Sequence, residues 1–357
     1  MNHFSPPAAP LKVSSSESAV FLYLDQEAVL AAGVLDMRRA IDVVGAAQAR
    51  FAKGEVREPH KVVLRNADNA ECEEQGRFNG LAASIGMPPE CLGMKWVASF
   101  PANRSVGLPR ATAMIILNCP RSGVPLAVME GSLISAMRTG AMTGLGARYL
   151  AGATTRKIGI IGAGVQSRAQ ILGLWTQLPQ VEEIALFGRT ISHAEEVADD
   201  SRRQWSAPVR VAQTIDEALA DADVALTVTT AQQPLMLARH IKPGALTVQL
   251  AGHECEFAVI QQCSKIVADD WETVKHRGIM TAAIMHHQGL LHDEDIYANL
   301  GELILGNKPG REGGERIHYC HMGMGVDDVA LAWAIYKTAR ERNLGIPLPL
   351  WRRPLWV

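Results

Sequence analysis

Two patterns of apolar and polar positions divide the chain. Between residues 157 and 270, short runs of β-branched and aliphatic residues recur: KIGIIG from Lys157, EIALF from Glu183, VRVAQ from Val209, DVALTVTT from Asp223, ALTVQLAG from Ala245 and KIVADD from Lys265. Helix candidates such as SHAEEVADDSRRQW and TIDEALADA lie between them. Near-continuous apolar strands alternating with helices predict a parallel sheet covered on both faces. The N-terminal part reads differently. FLYLD opens a strand, and DMRRAIDVVGAAQARFAKG has the spacing of an amphipathic helix closed by Gly54. KVVLR, FNGLAASIG, LGMKWVASF and ATAMIILN follow as strand candidates with turn residues between them. NCPRSGVPLAVME sets Pro, Ser and Gly between two apolar stretches and predicts a hairpin.

The expected fold is α/β: a Rossmann-type doubly wound parallel sheet over 146–321 plus a discontinuous α+β domain over 21–145 with 322–357. The second segment enters because the last helix, VDDVALAWAIYKTARERNLG, follows the sixth strand and is expected to pack back on the N-terminal part. A ligand cleft is expected between the domains. Residues 1–20, rich in Pro, Ala and Ser, read as a disordered tail rather than a signal peptide.

Composition narrows the partners more than the fold. The chain has 357 residues, enough for two cores, and 48% apolar with 20% charged residues is ordinary for a soluble protein. A net charge of −2 offers no electrostatic case for nucleic acid or an anionic membrane. No apolar run approaches the roughly 18–20 residues of a membrane span. Cys72, Cys91, Cys119, Cys255, Cys263 and Cys320 are scattered without a CxxC pair, which argues against a zinc ribbon or a disulfide framework and for a reducing, cytoplasmic compartment. A small-molecule substrate is the expected partner, with no nucleic acid and no membrane. MHHQGLLHDED, from Met285, matches no closed metal site and reads as a solvated loop, so no metal is expected.

IGIIGAGVQSRAQ places Gly162-x-Gly164-x-x-Ser167 between an apolar strand and a helix. Gly162 suits the tight turn, Gly164 lets a pyrophosphate approach the backbone, and Val165, Gln166 and Ser167 open a helix whose N–H groups and dipole favour phosphate. The next strand ends in Gly188-Arg189-Thr190, where an NAD-specific fold usually carries an acid. With no carboxylate to repel a 2′-phosphate, and with Arg189 and Thr190 to bind one, NADP is favoured slightly over NAD. Thr229, Thr230 and Met324 complete the expected cofactor contacts.

Between Gly131 and Ala147 the only charge is Arg138, among small and apolar residues. A buried guanidinium requires an anion, either a ligand or an internal carboxylate such as Glu130. Lys95, between apolar strand neighbours, makes the same demand. The acids of VDD stand in a first helical turn, where they favour the helix dipole. Arg311, in the turn KPGRE, is a further cleft-cation candidate; His318 and His321 read as structural or cleft-lining.

EPHKVVLR, GMKWV, AVMEGSLISAMRTGA, GIIGAGVQSRAQ, KPGRE and GMGVDDVALAWAIYKTA together resemble the ornithine cyclodeaminase/μ-crystallin family over about residues 20 to 345. IILN, AVMEGSLISAMRT and PGRE…MGMGVDDV are most similar to its 2,3-diaminopropionate-forming branch. The resemblance implies that Arg138 and Lys95 bind a substrate α-carboxylate, with Lys61 and Arg65 beside them. It also implies a homodimer built through the N-terminal sheet, and places the nicotinamide by the last helix. The implied reaction is NAD(P)-dependent oxidation of N-(2-amino-2-carboxyethyl)-L-glutamate through a hydrolysed imine to 2,3-diaminopropionate and 2-oxoglutarate, in siderophore or antibiotic biosynthesis. Ornithine cyclodeaminase, an NADPH-dependent imine reductase or amino-acid dehydrogenase, and a non-catalytic NADPH-binding protein are the alternatives. Where cyclodeaminases have an aspartate, this chain has His253 and Glu254, and either suits proton transfer at the amine or activation of water. Lys95 is the remaining catalytic candidate.

Overall fold

The computed structural model describes residues 18–65, 76–88 and 90–356. Most of the expected tail lies outside these residues, but its last two positions are already in a strand. Antiparallel pairing with the C-terminal strand, Ala19 opposite Trp351, carries that strand back to Ala19.

In chain order, β1 (Ala19–Leu24), α1 (Gln26–Ala31) and α2 (Met37–Ala52) lead into β2 (Val56–Arg57), β3 (Val62–Arg65), β4 (Arg77–Ile85), β5 (Cys91–Ser99), β6 (Ala111–Asn118) and β7 (Pro125–Glu130). Then come α3 (Ser132–Leu150), β8 (Lys157–Ile161), α4 (Val165–Gln177), β9 (Glu183–Phe187), α5 (Ile191–Trp205), β10 (Val209–Ala212), α6 (Ile215–Leu219), β11 (Val224–Thr227) and β12 (Leu246–Gln249). The rest is α7 (Phe257–Gln261), β13 (Lys265–Ala268), α8 (Trp271–Arg277), α9 (Thr281–His287), β14 (Ala298–Asn299), α10 (Leu300–Ile304), β15 (Ile317–Cys320), α11 (Gly325–Glu341) and β16 (Ile346–Trp351).

The chain folds as two compact units, residues 1–138 with 324–357, and residues 139–323. The division falls inside α3, between Arg138 and Thr139, rather than at 145/146. In the first unit the strands run β16-β1-β7-β6-β5-β4-β2, with β3 also on β4. All pairs are antiparallel except β1 with β7. On one side of the sheet α11 packs on α2, β4 and β5. Its residues from Gly325 to Tyr336 are buried all round, which suits a run with apolar residues on every face. α2 is capped by Asp36, whose carboxylate accepts the Arg39 N–H at 3.0 Å, and the chain turns at Gly54 with φ +73°.

The second unit is a wholly parallel sheet in the order β10-β9-β8-β11-β12-β15-β13-β14. The six expected strands are present, but KIVADD is not the neighbour of β12: β15 pairs with both β12 and β13. IHYC carries too short a pattern to announce itself, and strand order is decided by contacts distant in sequence. Gly140 on α3 lies on the Ala169 carbonyl of α4, and Gly173 of α4 lies on the Gly140 carbonyl, so neither position has room for a Cβ. Gly146 lies similarly against the Tyr319 ring. The small residues of α3 therefore let backbones touch.

Candidate active site

In the second unit, the turn after β8 has the geometry a dinucleotide needs. Gly162 has φ +120°, and a Cβ there would meet the Val228 carbonyl oxygen. Gly164 is the N-cap of α4 without a capping side chain, and nothing lies within 4 Å of where its Cβ would stand. The 13-residue helix thus opens onto free space with bare N–H groups, as a phosphate requires. Val165 is exposed and Gln166 half-buried. Ser167 is buried, and its hydroxyl donates to the Gly162 carbonyl at 2.6 Å, so it ties the turn together from inside. At the end of β9, Gly188 is crowded by Ala163, while Arg189 and Thr190 are exposed. Thr190 is the N-cap of α5 but makes no capping hydrogen bond. These residues fit a nicotinamide dinucleotide.

Glu254 is completely buried. Thr229 donates to its Oε1 through both N–H, at 2.7 Å, and hydroxyl, at 2.5 Å. Burial raises its pKa above the ordinary carboxylate value, with the Thr229 hydrogen bonds opposing. Its neighbour His253 is half-buried against Phe257, with ring centroids 5.4 Å apart. Thr229 is thus placed by Glu254, whereas Thr230 is exposed.

In the first unit, the partner of Arg138 is Asp328. Arg138 Nε donates to its Oδ1 at 3.0 Å, and Lys95 Nζ lies 2.6 Å from its Oδ2. Lys95 also donates to Ser135 Oγ at 3.0 Å. Burial and the Arg138 charge lower the Lys95 pKa to about 8 against the pull of Asp328. Glu130 instead caps α3, accepting the N–H groups of Ser132 and Leu133 at 2.5 and 3.1 Å. The acids of VDD are both buried, so their role extends beyond the helix dipole. Asp327 accepts from Gln48 Nε2 at 2.8 Å, and the same nitrogen lies 3.5 Å from Sδ of buried Met324, the N-cap of α11. Gly325 and Val326 donate to Glu58 at 2.6 and 2.8 Å, so a carboxylate sits on the N-terminus of α11.

Lys95 and Arg138 are therefore brought together by one carboxylate, and the other two expected cations stand on β3 or just before it. Lys61 is half-buried just before β3, and Arg65 is exposed at its far end, cross-strand from Arg77. Arg311 is no cleft cation: it donates to the carbonyls of Leu150, Gly313 and Glu315 and ties down its own turn. His318 is buried in β15 with Nδ1 2.9 Å from Thr247 Oγ1, and burial lowers its pKa to about 4. Part of MHHQGLLHDED is helical, in α9. Sequence reasoning missed Asp328, Gln48, Glu58 and Asp269, the last buried and accepting the Gly323 N–H at 2.7 Å. The signal for Asp328 was present, since two acids heading an otherwise apolar helix are buried with it.

The ornithine cyclodeaminase/mu-crystallin family model matches residues 25–343. The N-((2S)-2-amino-2-carboxyethyl)-L-glutamate dehydrogenase of Staphylococcus aureus is 29% identical, over 92% of this chain and 98% of the relative. Delta(1)-pyrroline-2-carboxylate reductase of Thermococcus litoralis, solved with NADH and L-proline, superposes with a TM-score of 0.84 at 26% identity, over 92% of this chain and 100% of that one. An archaeal alanine dehydrogenase dimer with bound NAD gives 0.83 at 30% identity, over 93% and 100%. The present chain is an oxidoreductase acting on CH–NH bonds. It belongs to the ornithine cyclodeaminase/mu-crystallin family.

Proposed function

We propose that the enzyme oxidises N-(2-amino-2-carboxyethyl)-L-glutamate with NADP or NAD and hydrolyses the resulting imine to 2,3-diaminopropionate and 2-oxoglutarate, as a cytoplasmic step of siderophore or antibiotic biosynthesis. The observation that carries this reading is the Lys95–Asp328–Arg138 cluster. Two buried cations converge on one carboxylate, the arrangement that also receives the carboxylate of a ligand. Lys61 and Arg65 suit further carboxylates better than the distal ammonium of ornithine.

The cofactor, when bound, accepts the two electrons and the hydrogen from the substrate carbon. Gly162, Gly164, Val165, Gln166 and Ser167 hold its pyrophosphate, Arg189 and Thr190 its adenosine end, and Thr229, Thr230 and Met324 its remaining contacts. Glu254 is the better placed acid–base residue, since burial favours its protonated form and Thr229 fixes one oxygen. His253 is the second candidate. Lys95 orients the substrate carboxylate.

Homodimerisation rests on the outer face of the first unit's sheet, where Val62, Leu64, Phe78, Trp96 and Met114 form an apolar patch. Leu64 pairs with Phe78 and Trp96 with Met114, and the rings of Phe78 and Trp96 stack at 5.4 Å. The five described cysteines are free thiols, in keeping with a reducing compartment. A second reading, a reductase or amino-acid dehydrogenase working with NADPH, is favoured by Arg189 and Thr190.

Nicotinamide absorbance tests the proposal, with the substrate or ornithine and each oxidised cofactor, alongside an ammonia assay. Reduced cofactor should accumulate with the first substrate and be lost in Arg138→Ala. Ammonia from ornithine without net reduction would mean a cyclodeaminase.

A further inference from the structure

At the start of α11 two buried side chains share one hydrogen bond, and each keeps a second oxygen that is unanswered. Gln48 and Asp327 are both 0% exposed. The Gln48 Nε2 donates to Asp327 Oδ1 and also touches Met324 Sδ, which fixes the orientation of the amide. Gln48 Oε1 and Asp327 Oδ2 remain, and neither has a hydrogen-bond partner among the described residues. Buried polar side-chain atoms almost always have one, and two exceptions on touching side chains are a feature to be explained.

We propose that Gln48 Oε1 and Asp327 Oδ2 form a subsite for the amino group of an amino-acid ligand whose carboxylate is held by Lys95 and Arg138. The subsite rests on the carboxylate reading given above. All its atoms belong to the first unit: Gln48 on α2, Lys95 on β5, Arg138 on α3, Asp327 and Asp328 on α11. With Asp327 ionised both atoms accept and select a group that donates, as an N–H of an amine or ammonium does. With Asp327 protonated, the proton on Oδ2 can serve Gln48 Oε1, and an arriving ammonium takes that proton's place.

Charge supports the same assignment. Asp327 is influenced by the Arg138 cation on one side and by the Glu58 and Asp328 carboxylates on the other, and Lys95 in turn is influenced by Asp327. Three carboxyl groups thus surround two cations. Burial raises the Asp327 pKa to about 8, so at neutral pH its carboxyl holds a proton. An arriving ammonium stabilises the carboxylate and releases that proton. A zwitterion brings a negative group to the cations and a positive one to the carboxylates without adding net charge.

The test compares L-glutamate with glutarate, which differ by the amino group alone, by titration calorimetry on the full-length protein at neutral pH in buffers of different ionisation enthalpy. The wild type should bind L-glutamate at least about tenfold more tightly than glutarate and release close to one proton per ligand. In Asp327→Asn the preference should fall to about threefold or less and that proton release should vanish. Gln48→Met, which keeps its packing on Met324, should lower the preference while leaving the proton release, and serves if the first variant does not fold. An unchanged preference and proton count in a folded Asp327→Asn would overturn the proposal, since the two acceptors would then serve an internal water. Equal binding of the two ligands by the wild type would overturn it too. If neither ligand binds, or if both bind Arg138→Ala as well as wild type, the carboxylate reading falls and the amino subsite with it.

Discussion

The two ends of α3 do opposite things. Its first turns, from Ser132 to Arg138, carry side chains into a charged cluster: Ser135 bonds Lys95, and Arg138 bonds Asp328. From Gly140 onward the helix works by what it lacks, because Gly140 and Gly146 let a carbonyl and a tyrosine ring come where a Cβ would stand. The first end depends on chemical complementarity, which a well-packed neutral replacement can restore. The second depends on steric absence, which no larger residue can imitate.

Removing Asp328 tests the first end most severely. Asp328→Ala leaves Lys95 and Arg138 buried together without their anion and should lower stability by about 3–5 kcal/mol in urea unfolding. A loss below about 1 kcal/mol would mean that water reaches the cluster and the comparison fails. Adding Lys95→Met and Arg138→Met should recover most of the stability, while carboxylate binding is abolished.

Acid tests a buried group that needs no counter-ion. His318 has a pKa lowered to about 4 in the fold, below the ordinary value near 6.5. The unfolded chain therefore takes up the proton first. The stability from neutral burial is complete above pH 6.5 and is lost as pH falls toward 4, by roughly 3 kcal/mol. His318→Gln should flatten that part of the stability–pH curve, and an unchanged slope would show the ring to be open to water.

Gly140→Ala tests the second end of α3 and should destabilise the protein by about 2–3 kcal/mol. Gly164→Ala is its control: with nothing near its Cβ, stability should stay within about 0.5 kcal/mol while cofactor affinity falls. Equal stability losses at the two glycines would erase the distinction between a packing glycine and a binding one. The smallest effect is expected at Arg189→Ser, which should shift the ratio of NADP to NAD affinity by about tenfold toward NAD.

Sequence made the local devices legible and left the distant ones hidden. The turn at Gly162, the strand before it and the helix after it, and the buried demand of Arg138 were read from neighbours within a few residues. That Arg138 is answered by a residue 190 positions away could not be, because nothing in either segment encodes the other. Glu130 was the nearest acid, yet it was already committed to two backbone N–H groups at the head of α3. The same limit hid β15: four residues carry little period, and their place between β12 and β13 is set by the sheet. Gly140 and Gly146 were visible as small residues but not as contacts.

The interrupted build of the first unit has a consequence for synthesis. A chain made from its amino end completes Lys95 and Arg138 long before α11 exists, and β15 closes the second unit's sheet only at Cys320. Until α11 is made, Lys95 and Arg138 lack Asp328, the buried carboxylate that both contact, so the earlier segment cannot dry their surroundings. Stopping translation at Gly323 would yield one unit with its strands complete and another held open by its own charge.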